Sequence, residues 1–125
     1  DQVLVPALSE FAKRSYYLTF DITKHLQQGN NAFGVILGNG RYFAPRKNEP
    51  MATNTYGFPK LIFQLNIEYS DGTNGIIVSD ESWKLTTNGP IVANNEYDGE
   101  EYDATKEMAG WDIAGFDDAA WEQAN

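Results

Sequence analysis

Leu61-Ile62-Phe63-Gln64-Leu65-Asn66-Ile67-Glu68-Tyr69, then Ser70-Asp71-Gly72-Thr73, then Ile76-Ile77-Val78, decides the fold class. Leu61, Phe63, Leu65, Ile67 and Tyr69 alternate with Ile62, Gln64, Asn66 and Glu68, the period-two pattern of a strand with one buried face. Asp71-Gly72 is a tight-turn signal, because glycine takes positive φ without steric cost. The stretch therefore predicts an antiparallel hairpin over residues 60–79 whose inward face carries Leu61, Phe63, Leu65 and Ile67.

Strand signals continue on both sides. Tyr16, Leu18, Phe20 and Ile22 alternate with Tyr17, Thr19 and Asp21. Residues 32–37 are apolar on both faces, as suits a central strand covered on each side. Between them, Thr23 to Gln28 predicts one helical turn before Gly29-Asn30-Asn31. Downstream, Asp80 to Leu85 predicts a short strand with Trp83 facing the core, stopped at Asn88-Gly89-Pro90. Ile91-Val92 and Glu96 to Asp103 supply further extended pieces, and Asp118 to Gln123 has weak helical potential. Many short strands separated by turns indicate an all-β antiparallel β-sandwich or jelly roll of galactose-binding-like type. Val3-Leu4-Val5 begins as though already paired, so a strand or two of the sheet is expected to lie outside the chain. The expected organisation is a β-sandwich domain over 1–109 and a C-terminal segment, 110–125, leading to a next module.

The 125 residues suit one domain with a real core, at 42% hydrophobic and 14% aromatic content. With no cysteine there is neither a disulfide framework nor a thiolate metal site. The longest apolar run is far shorter than the roughly 20 residues that span a bilayer. The first residue is Asp1 and no signal peptide is visible, as expected of a processed or excised segment. The net charge of −9 is uneven: residues 1–62 hold seven basic and four acidic side chains, residues 63–125 two and fourteen. Such a chain repels polyphosphate and anionic lipid, which argues against nucleic-acid and membrane partners. The plainer meaning of the charge is solubility.

Candidate chemistry is sparse. His25, the one histidine, has no nucleophile and buried acid to form a triad with, and reads as structural or solvated. Gly38-Asn39-Gly40 begins a dinucleotide fingerprint that fails at Phe43. Asn94, Glu96 and Asp98 followed by Gly99 mimic a calcium loop, but Thr105 stands where an EF-hand needs its bidentate glutamate. Glu101 and Asp103 share one strand face about 7 Å apart, and Asp98, Glu100 and Tyr102 share the other. Glycosidase carboxyls stand about 5–10 Å apart, but any acidic strand meets that spacing, and such an edge also discourages strand addition. The loop from Gly38 to Pro59 is long for a compact domain and carries Tyr42, Phe43, Tyr56 and Phe58, onto which a sugar ring could stack. Aromatics in a β-sandwich are more often core, as expected for Trp83, Trp111 and Trp121.

An ordered series of motifs adds a family resemblance. It comprises Asp21-Ile22-Thr23, Leu37-Gly38-Asn39-Gly40-Arg41-Tyr42, Asp71-Gly72, Ser79-Asp80-Glu81-Ser82-Trp83-Lys84, Gly89-Pro90, Gly99-Glu100-Glu101-Tyr102-Asp103-Ala104, and closing Gly110-Trp111, Phe116-Asp117-Asp118 and Trp121. In this order they resemble the N-terminal β-sandwich region of bacterial α-L-rhamnosidases of glycoside hydrolase family 78, from near Pro6 to Trp121. The resemblance implies a parent enzyme that hydrolyses terminal α-L-rhamnosides in a separate α/α barrel, with no catalytic residue here. It implies either a carbohydrate-recognition module, in certain relatives through calcium, or a module that braces the barrel. Partners would be a rhamnose-containing glycan and other domains of the same polypeptide, with a periplasmic or extracellular location favoured. The expected sugar contacts are Asn39, Arg41 and Tyr42, then Glu100, Tyr102 and Asp103. Arg41 stands where the family pattern has Trp, and Thr105 where it has Arg.

Overall fold

The computed structural model describes residues 6–46 and 55–125. Among these described residues, six strands form three antiparallel pairs: β1 (Gln64–Glu68) with β2 (Asn74–Val78), β3 (Lys84–Leu85) with β6 (Glu122–Gln123), and β4 (Ile91–Asn95) with β5 (Gly99–Tyr102). Among the described residues the only helical pieces are single 3₁₀ turns at Thr23–His25 and Ala104–Lys106. The architecture is all-β and antiparallel, consistent with the expected β-sandwich.

The β1–β2 hairpin forms as its pattern dictates. Gln64 faces Val78 and Glu68 faces Asn74, closed by a turn in which Gly72 has φ 83°. Asp71 Oδ1 accepts from Thr73 N and Oγ1, which pins the turn. Leu61, Phe63, Leu65 and Ile67 are all more shielded than Ile62, Gln64, Asn66 and Glu68 between them. The Phe63 ring lies 5.6 Å from Phe33 and 5.2 Å from Trp83, centroid to centroid. Trp83 Nε1 donates to Val78 O, so the half-buried indole keeps its polar atom bonded.

Three local expectations fail. Tyr16–Ile22 and residues 32–37 join no ladder: a strand is fixed by its neighbours, and no described residue pairs with these segments. Asp118–Gln123 does not coil. A turn at Asp118, where Trp121 N donates to Asp118 O, leads into β6, and cross-strand bonding to β3 overrides a weak helical preference. The C-terminal residues return to the body of the domain, with Ala124 N donating to Trp83 O and Lys84 Nζ 2.7 Å from Asp118 Oδ1.

Candidate functional site

The loop after Leu37 and the β4–β5 hairpin meet at a reciprocal pair of hydrogen bonds. Asn39 N donates to Asn94 Oδ1 at 2.7 Å, and Asn39 Nδ2 donates to Asn94 O at 3.0 Å. Glu96 N donates to Gly40 O, a third link between the same two loops. Gly40 reaches φ 52°, which lets the chain reverse there, and Phe43 N closes the turn onto Asn39 O.

At the hairpin end, Asn95 Oδ1 accepts from Tyr97 N and Asp98 N, both at 2.8 Å, while Asn95 Nδ2 donates to Asp98 Oδ2. One asparagine thus holds the turn that Gly99, at φ 78°, completes. Arg41 and Arg46 place their guanidinium carbons 5.6 and 5.1 Å from the Tyr97 ring centroid. Their Nε atoms lie 3.6 Å from Glu96 Oε2 and 3.8 Å from Asp98 Oδ1. Basic residues of the first half of the chain therefore meet acidic residues of the second.

Between these loops is a shallow pocket of about 160 Å³, lined on its polar side by Asn39, Asn94, Asn95, Asp98 and Glu101. The expected contacts distribute unevenly around it. Asn39 lines the pocket. Arg41 does not line it; its side chain meets Glu96 and Tyr97 instead. Tyr42 packs in an aromatic trio, 5.3 Å from Phe11 and 5.7 Å from Tyr56. Glu100 is exposed on β5 opposite Asn94. Tyr102 donates to Glu107 Oε1 at 2.7 Å, and that carboxylate holds its phenol above the usual value. Asp103 caps the second 3₁₀ turn: Oδ1 accepts from Thr105 Oγ1 and N, and these bonds hold the carboxyl below its ordinary value. Thr105 is thus the partner of Asp103.

Sequence reasoning passed over Asn94, Asn95 and Glu101 as sugar contacts. Nothing local marks Asn94, whose partner is 55 residues away. Chemically the pocket offers amide donors and carboxylate acceptors at close quarters, the set that binds a polyol. Among the described residues no group of three or more His, Asp or Glu side chains converges to hold a metal. Nor is any helix among them long and apolar enough to cross a membrane.

The sequence profile of the α-L-rhamnosidase N-terminal domain matches residues 1–125. An α-L-rhamnosidase of Formosa agariphila is 46% identical over 104 residues, covering 80% of this chain and 11% of the relative. One from an Alteromonas strain is 36% identical over 100 residues, with the same coverage. The solved α-L-rhamnosidase structure from Dictyoglumus thermophilum superposes with a TM-score of 0.83 at 46% identity, over 98% of this chain and 13% of that one. The chain spans about a tenth of the length of the relatives it matches. It belongs to the α-L-rhamnosidase N-terminal domain family.

Proposed function

We propose that this domain is a non-catalytic carbohydrate-recognition module of an α-L-rhamnosidase that hydrolyses terminal α-L-rhamnosides, and that sugar is held at the pocket between the Asn39 loop and the β4–β5 hairpin. The observation that carries the reading is the Asn39–Asn94 pair, which brings two amides, Asn95 and the Asp98 and Glu101 carboxylates to one rim. A carboxylate accepts two sugar hydroxyls and an amide both donates and accepts, so neighbouring ring hydroxyls can be read without a formal charge on the ligand. The oxygen atoms of this rim are also the hard donors that calcium takes. Titration of L-rhamnose by NMR, with calcium and with a chelator, tests the reading. Shifts confined to residues 39–41 and 94–101 are expected. No shift at millimolar sugar in either condition defeats it.

A second reading is that the domain only braces the catalytic barrel. It is favoured by the half-exposed apolar side chains of Tyr16, Leu18, Phe20 and Phe33, which suit burial against another module. Under this reading, removing the domain from the full enzyme lowers thermal stability and leaves turnover of small soluble rhamnosides unchanged.

A further inference from the structure

Residues 15–20 and 32–38 have the composition of paired strands and lack the pairing. None of their backbone N–H or C=O groups bonds to any described residue. Side-chain packing alone positions the second segment: Phe33 stacks near Phe63, and the Trp111 ring occupies the space beside Gly34. Its other side is open, with Ile36 64% exposed, and Tyr17 in the first segment is 87% exposed.

We propose that these two segments are acceptor strands, completed by extended stretches of the same polypeptide that lie outside these 125 residues. Strand addition satisfies the open backbone groups, and alternate apolar side chains of the donor cover the exposed ones. Left open, such edges pair indiscriminately. Two observations select the donor. The relatives carry roughly nine-tenths of their length outside the matched region. A tethered donor also acts at millimolar effective concentration. A second copy must instead bind at its free concentration. The donor is expected to alternate apolar residues with few charges. This inference does not depend on sugar binding.

Hydrogen–deuterium exchange of the full-length polypeptide, read at amides 16–20 and 33–37, is the test. Protection comparable to Leu65, Ile67 and Ile77, unchanged on hundredfold dilution, is expected. Lysine cross-linking should also join Lys13 or Lys24 to lysines outside the 125 residues. Exchange as fast as at the exposed turn of residues 112–115 overturns the proposal. So does protection lost on dilution, or cross-links only between copies, either of which makes the donor a second molecule.

Discussion

The six-membered ring of Trp111 occupies the space that a Cβ on Gly34 would need. The contact joins the segment before the Asn39 loop to the C-terminal turns, with Phe33 beside it on Phe63. Gly34→Ala forces the indole to move and should cost about 1–3 kcal/mol, the usual penalty of overpacking. Gly38→Ala is the control, because its Cβ meets nothing closer than Asn94 Nδ2 at 3.9 Å. Urea denaturation of both variants in the intact protein checks this, and equal midpoints contradict it.

Phe63 is half-buried between Phe33 and Trp83, so its truncation removes two ring contacts without opening a sealed cavity. Phe63→Ala should cost about 2 kcal/mol, below the roughly 3–5 kcal/mol of a fully buried phenylalanine. Ile62→Ala, on a side chain 96% exposed, should stay within about 0.5 kcal/mol. Thermal or denaturant unfolding decides, and a larger effect at Ile62 reverses the face assignment.

The acid limb of stability should report four Asx-type turns. Asp21, Asp71, Asp80 and Asp103 each accept from the side chain and backbone of Thr23, Thr73, Ser82 and Thr105, and each carboxyl is held below its ordinary value of 3.8. A carboxyl lowered by folding stabilises the fold above its unfolded pKa, and that contribution fades as pH falls through the folded value. Stability from these turns should be level from neutral pH to about pH 5 and decline below about pH 4. NMR titration of Thr105→Ala should show the Asp103 pKa rising toward the ordinary value, while an unmoved titration curve contradicts the assigned cause.

Much of the architecture is legible in the sequence because it is local. The 60–79 hairpin needs only an alternating face and an Asp-Gly turn, and its shielded residues are those the pattern names. The Thr23–His25 turn follows from Asp21 accepting from Thr23, within the same few residues. Tyr16–Ile22 and residues 32–37 are misjudged as ladder members because a strand-like sequence specifies a face, not a neighbour. Residues 118–123 are misjudged because their partner, β3, lies far away in sequence. At the site, Asn39 is marked by its flanking glycines. Asn94 and Asn95 are invisible until the hairpin is brought against that loop, whereas Asp103 and Thr105 repeat the two-residue spacing of Asp21 with Thr23 and Asp71 with Thr73, a local signal that the sequence reading passed over.

The two asparagines can be separated by mutation. Asn39→Ala removes the Nδ2 bond to Asn94 O but keeps the Asn39 N–H bond to Asn94 Oδ1, and should cost about 1 kcal/mol. Asn94→Ala instead leaves the part-buried Asn39 N–H without its acceptor, and should cost about 1–3 kcal/mol. Equal losses in denaturant unfolding contradict this division of roles.

Because Asn39→Ala leaves most of the fold intact, it gives the cleanest measurement of recognition: L-rhamnose binding by the wild type and by Asn39→Ala, read by NMR shifts at residues 94–101 in the presence of calcium. Saturable shifts in the wild type, weakened at least tenfold in a variant within about 1 kcal/mol of wild-type stability, are the predicted result. Equal binding by the two proteins, or no binding by the wild type at millimolar sugar, contradicts a sugar site at the Asn39–Asn94 junction.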